Sequence, residues 1–142
     1  MNGPDHAEEK SAQENLRAVR DHYAAFASSD IDALLEGLDH GVTIRIHDDH
    51  GIRIGTPRVG RSAAKDFFDA IQAAVDDPTV EIRDLRADGG RVLAKITLGG
   101  TLKESGRTGE IQAVHLITIA DGLITEIRTH RPNWNDHEPD HE

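Results

Sequence analysis

Cysteine is absent from the 142 residues, which removes disulfide frameworks, thiolate zinc sites and cysteine nucleophiles. A reducing, cytoplasmic setting fits that composition and is the expected location. Aromatic residues are scarce, limited to Tyr23, Phe26, Phe67, Phe68 and Trp134, so a stacking platform for bases is poorly supplied. Basic side chains are outnumbered, 16 Lys and Arg against 26 Asp and Glu, for a net charge of −10. That balance opposes binding to nucleic acid, whose phosphates need cationic partners. No apolar run approaches the ~20 residues of a membrane helix. The opening MNGPDHAEEK has neither the basic nor the apolar region of a secretion signal. Neither a membrane nor a nucleic acid is an expected partner.

The most informative stretch is Glu110 to Arg131, EIQAVHLITIADGLITEIRTHR. Asp121-Gly122 between two alternating segments is a strong signal for a two-residue hairpin turn. An unbroken ladder from that turn pairs Ala120 with Leu123, Ile119 with Ile124, Ile117 with Glu126, His115 with Arg128 and Ala113 with His130. Paired residues share a face. One face then carries His115, Glu126, Arg128 and His130 among Ile111, Ile117, Ile119 and Ile124, a polar group at one end of an aliphatic surface. The other face carries Val114, Leu116, Leu123 and Ile127. A one-residue bulge would turn some of these residues over.

Elsewhere the periodicity is clear. Met1 to Lys10 is polar and acidic and reads as a disordered arm, 1–10. Leu16, Val19, Tyr23 and Phe26 mark an amphipathic helix over Ser11 to Ser28, and Ser29 or Asp30 caps a shorter one with Ile31, Leu34, Leu35 and Leu38 as its stripe. Val42 to His47 alternates as a half-buried strand. A loop to Arg61 follows, with a short extended piece at Ile52 to Ile54, and Ser62 caps a third helix carrying Phe67, Phe68 and Ile71. Val80 to Ala87 and Arg91 to Lys103 flank an Asp88-Gly89-Gly90 turn. Helices ahead of an antiparallel meander predict one α+β domain over 11–134, followed by an acidic tail, 135–142.

The order of elements, with several short motifs, resembles the SnoaL-like polyketide cyclases of the nuclear-transport-factor-2-like superfamily. The motifs are Tyr23-Ala-Ala-Phe26 before Ser29-Asp30, Gly60-Arg61, Gly100-Thr101, Thr108-Gly109 and Asp121-Gly122-Leu123-Ile124. The resemblance implies a cone-like, curved antiparallel or mixed sheet wrapped over about three N-terminal helices, a pocket at one end, and frequent dimers. It also implies small-molecule chemistry of the cyclase, isomerase, hydrolase or dehydratase kind, with members that do none of these. Several relatives place a carboxylate near the end of the last strand, where this chain has Arg128-Thr129-His130-Arg131-Pro132. In the related ketosteroid isomerases a carboxylate ends the first strand, where this chain has Ile46-His47, with Asp48 beyond.

On this reading the candidate catalytic residues are His115 or His130 as acid-base group, Arg128 as anion stabiliser and Glu126 as orienting partner. Ile117, Tyr23, His47 and Trp134 are the candidate ligand contacts. Each has a plainer reading: an exposed Glu126–Arg128 ion pair, hydrogen-bonded histidines, a core tyrosine and a packed tryptophan. The His47-Asp48-Asp49-His50 run is better read as a polar loop than as a metal site, because neighbours on a strand point apart. His137 and His141 lie in a solvated tail. No metal and no organic cofactor is required. The expected partner is a small hydrophobic or carboxylated molecule, and the expected function is cofactor-free proton transfer in an isomerisation, aldol cyclisation or dehydration. The alternatives are a non-catalytic ligand-binding module and a structural homodimer. The apolar outer face of the hairpin predicts a homodimer through that face.

Overall fold

The computed structural model describes residues 3–47, 55–130 and 135–136. Helices α1 (Gly3–Ala27) and α2 (Ile31–Glu36) precede strand β1 (Leu38–His47), the short strand β2 (Arg58–Val59) and helix α3 (Arg61–Ala74). Strands β3 (Val75–Asp88), β4 (Arg91–Leu102), β5 (Thr108–Ala120), β6 (Leu123–His130) and β7 (Asn135–Asp136) complete the chain. The domain is α+β, with helices covering one side of a curved, unclosed mixed sheet.

Three local expectations are corrected. Helix α1 begins at Gly3 and not at Ser11, through the segment read as a disordered arm. Ala7, Glu8, Glu9 and Lys10 are strong helix formers, and Pro4 falls in the first turn, where its missing N–H costs nothing. Helix α3 starts at Arg61 behind Gly60, and not at a Ser62 cap. Gly60 takes a φ of 94°, reserved for glycine, and its carbonyl accepts the Ala64 N–H at 3.0 Å. Leu38 does not extend the stripe of α2; Gly37 ends that helix and Leu38 opens β1, fully buried. The expected cap at Asp30 is present, its Oδ1 accepting the Ala33 N–H at 3.1 Å.

The strand order is β2-β1-β6-β5-β4-β3, with β7 paired to β5. Strands β3 to β6 form the expected meander of antiparallel pairs, while β1 joins β6 in parallel. The β5–β6 turn has Asp121 and Gly122 at φ 54° and 82°, both positive as a type I′ turn demands. Where β3 meets β4, Gly100 has no Cβ because Val75 and the Asp76 backbone stand in that space.

One irregularity in β6 decides which side chains face inward. Ala120 pairs with Leu123 and Ile119 with Ile124, but Thr118 pairs with Glu126. Thr125 is therefore the extra residue of a bulge, and its hydroxyl donates to the Thr118 carbonyl at 3.2 Å. Beyond it the parity of β6 is reversed. Ile127 is buried with Ile124, Ile117 and Ile119, whereas Arg128 is exposed.

Inside the sheet's curve, Val42 and Ile44 of β1, Val92, Ala94 and Ile96 of β4, and the inward residues of β5 and β6 meet the helices. Val19 and Tyr23 of α1, Leu34 of α2, and Ala64 and Phe68 of α3 close this core.

Candidate functional site

Helix α1 repeats its buried face at Val19, His22, Tyr23 and Phe26, the i, i+3, i+4, i+7 set that one helix side presents. Helix α3 brings Phe67, Phe68 and Ile71 toward the same space. Below them lie Ile44 and Ile46 of β1, Ile111 and His115 of β5, and Ile127 and Thr129 of β6. Together with the Val75–Pro78 segment and the end of β4 they enclose a cavity of about 300 Å³. That is at the lower end of the range for small-molecule sites.

Polarity in this cavity is confined to one place. Tyr23 Oη and His115 Nδ1 are 2.7 Å apart, a buried hydrogen bond. His22 stands edge-on to Tyr23, ring centroids 5.4 Å apart, and to Phe68 at 6.0 Å. Thr129 is the register partner of His115 and shares its face. No Asp, Glu, Lys or Arg is among the described residues lining the cavity.

The missing counter-charge sets the protonation states. Burial lowers His22 to a pKa of about 4. Burial, and then the proximity of His22, lowers His115 to about 3. Burial pushes the Tyr23 phenol well above its ordinary range. Near neutral pH the site therefore holds two neutral imidazoles and a protonated phenol. His22 Nδ1 has no hydrogen-bond partner among the described residues, as a neutral ring tolerates better than a charged one.

The tautomer of His115 then determines what the pair can do. If Tyr23 donates to Nδ1, the histidine keeps its proton on Nε2. If Nδ1–H donates to the phenol oxygen, the Tyr23 O–H is free for a ligand and Nε2 carries a lone pair. A single tautomer thus provides both a donor and a base.

The expected cluster of His115 with Glu126, Arg128 and His130 is divided by the bulge at Thr125. Arg128 pairs with Leu116 and not with His115, Glu126 with Thr118 and not with Ile117, His130 with Val114 and not with Ala113. All three lie on the outer face. There Glu126 Oε2 accepts from Arg45 Nε at 3.1 Å and lies 3.5 Å from Arg128 Nη2. His47 is also on this face, its ring stacked on that of His130 at 5.1 Å and 19°. Ile117 is fully buried in the core and is not a lining residue. Tyr23 does line the cavity. Trp134, Asp48, Asp49, His50, the 52–54 piece, His137 and His141 lie outside the described residues. No group of three or more metal-ligating side chains occurs among the described residues. His22 and the paired phenylalanines of α3 escaped the sequence reading as site residues. His22 was legible in principle, since it completes the buried stripe of α1.

The sequence profile of the SnoaL-like domain matches residues 19–127. The chain belongs to the SnoaL-like domain family. Solved structures share the SnoaL-like fold. One is an M. tuberculosis LEH-like epoxide hydrolase, 21% identical, covering 84% of each chain at a TM-score of 0.69. Another, from Jannaschia sp. CCS1, is named as a candidate SnoaL-like polyketide cyclase and is 18% identical over 84% of this chain and 86% of that one, TM-score 0.74. An NTF2-like protein from Burkholderia xenovorans LB400 is 24% identical over 84% and 90%, TM-score 0.68. Among curated proteins none matches. No described helix of this SnoaL-like chain is long and apolar enough to cross a membrane.

Proposed function

We propose that this SnoaL-like protein binds a small, mostly apolar molecule between α1, α3 and the inner face of the sheet, and uses Tyr23 and His115 for cofactor-free proton transfer. The supporting observation is the 2.7 Å Tyr23–His115 hydrogen bond inside a mostly apolar cavity. In the tautomer with Nδ1 protonated, the phenol donates to a carbonyl oxygen while Nε2 takes a proton from the adjacent carbon. A pKa of about 3 makes His115 a poor base in the empty cavity. The enolate formed in the same step supplies the negative charge that the cavity lacks, and raises the imidazole's affinity for the proton. Isomerisation, aldol cyclisation and dehydration all use such a step, and the fold's relatives include proteins named as cyclases and epoxide hydrolases.

The test is deuterium exchange at the acidic C–H positions of a bicyclic ketone such as 2-tetralone. Exchange faster than buffer, lost in His115→Ala and reduced in Tyr23→Phe, is the expected result. A second reading, binding without catalysis, is favoured by the lack of a carboxylate among the described lining residues. Binding of the ketone with no exchange would establish it.

A homodimer through the outer sheet face belongs to the same proposal. Leu93, Val114 and Leu116 share that face and are each only half-buried among the described residues, an apolar strip that association would cover. Light scattering at micromolar concentration should give twice the chain mass of 15.5 kDa; a monomer would sink the idea.

A further inference from the structure

We infer that the cavity selects uncharged ligands of about two fused rings with one oxygenated end, and rejects carboxylates of the same shape. This rests on the pocket reading above and adds to it a charge rule, a size and a polarity pattern.

The charge rule follows from what surrounds the ligand. A carboxylate leaving water needs a cation or several hydrogen-bond donors, since burying an isolated charge is far costlier than burying a neutral polar group. No lysine or arginine is among the described lining residues. The basic side chains nearest in the strand order, Arg45 and Arg128, are on the opposite face of the sheet and share Glu126. As neutral rings the two histidines offer an anion at most an uncharged N–H each, and the burial that lowers both pKa values opposes the protonation that would make either a cation. Arg128 would have faced the ligand in an unbroken β5–β6 ladder, and a carboxylated molecule would then have been the better expectation. The Thr125 bulge removes that cation from the site.

The polarity pattern follows from adjacency. His22 and Tyr23 are sequence neighbours, Tyr23 is bonded to His115, and Thr129 is the cross-strand partner of His115. The polar side chains of the described lining are thus neighbours of one another, and the other lining residues are apolar or, at Gly99, without a side chain. A ligand matching this wall has one oxygen-bearing end. As to size, a dry apolar cavity of ~150 Å³ accepts benzene. The present cavity, about 300 Å³, has room for about twice that bulk.

The experiment uses one skeleton with four ends: tetralin, 2-tetralone, tetralin-2-carboxamide and tetralin-2-carboxylate, titrated calorimetrically into the full chain near neutral pH. The ketone should bind ~10-fold or more tighter than the carboxylate, the difference that ~1.4 kcal/mol of differential desolvation produces. The carboxamide, equal in size to the carboxylate but uncharged, should recover most of the loss. Tyr23→Phe should bring the ketone down toward tetralin, and Ile71→Trp, which fills the cavity, should weaken every ligand. A carboxylate that binds as tightly as the ketone overturns the charge rule and leaves the pocket reading standing. Failure of all four to bind overturns both.

Discussion

Tyr23 on α1 and His115 on β5, 92 positions apart in the chain, are joined by a 2.7 Å hydrogen bond that ties the first helix to the centre of the sheet. The bond is both the polar centre of the cavity and a tertiary clamp. Tyr23→Phe deletes the hydroxyl and leaves His115 Nδ1 buried without its partner. The expected destabilisation is ~1–3 kcal/mol, the cost of stranding a buried polar group. Denaturant unfolding would measure it, and combining Tyr23→Phe with His115→Phe should cost less than the sum of the two single changes. Additive losses would show that the two side chains do not interact.

The same burial makes stability depend on pH in a defined direction. The folded chain holds His22 at about 4 and His115 at about 3, against the ordinary 6.5 of an unfolded histidine. As pH falls below 6.5 the unfolded chain takes up protons that these two folded sites refuse, so unfolding is progressively favoured. Their contribution is complete well above 6.5 and is lost as pH falls through 6.5 toward about 4 for His22 and about 3 for His115. Near pH 5 the unfolded chain should bind up to about two more protons than the folded one through this pair. Urea midpoints at successive pH values would give the slope, and His22→Phe should remove about one proton from it. A stability that is flat between pH 7 and 5 would show that both imidazoles reach solvent.

Much of the architecture was legible because its signals are local. The 3.6-residue recurrence in α1, the cap at Asp30, the alternation of β5 and the Asp121-Gly122 turn each act over a few residues, and the structure contains each of them. What escaped was non-local. The parallel docking of β1 against β6 joins segments far apart in sequence, and alternation carries no information about which strand lies alongside. The bulge escaped for a different reason. Leu123-Ile124-Thr125-Glu126-Ile127 fits an unbroken alternation only by placing Glu126 inside and Ile127 outside. Burying Ile127 and freeing Glu126 lowers the energy by more than one disrupted ladder position costs. The apolar residue at Ile127 was the available signal, and its register-breaking consequence moved three of four proposed catalytic residues to the other face.

That relocation gives a sharp expectation for Arg128 and Glu126. Arg128→Ala should leave ligand affinity in the cavity unchanged, because the guanidinium is on the outer face and its side chain is 44% exposed. Glu126→Ala removes the shared acceptor of Arg45 and Arg128, both partly solvated, and should cost no more than ~1 kcal/mol in stability. His115→Ala, in contrast, should abolish preference for an oxygenated ligand. Calorimetric titration of 2-tetralone into the three variants distinguishes them. An equal loss in Arg128→Ala and His115→Ala would mean that the strand register is continuous after all.

The bulge itself can be tested by removing it. Deleting Thr125 takes out the unpaired residue, so the ladder runs from Ile119–Ile124 straight on to Thr118–Glu126 and Ile117–Ile127, with Ile127 and Thr129 still inward and Glu126, Arg128 and His130 still outward. The deletion should therefore fold and unfold cooperatively, because no buried isoleucine is exchanged for a charge. Thr125→Ala keeps the extra residue and loses only the 3.2 Å hydrogen bond to the Thr118 carbonyl, so it should remain folded at a cost of ~1 kcal/mol. Thermal denaturation followed by circular dichroism would compare the two. A deletion variant that no longer folds would mean that Thr125 holds a regular ladder position, and the inward placement of Thr129 beside His115 would lose its basis.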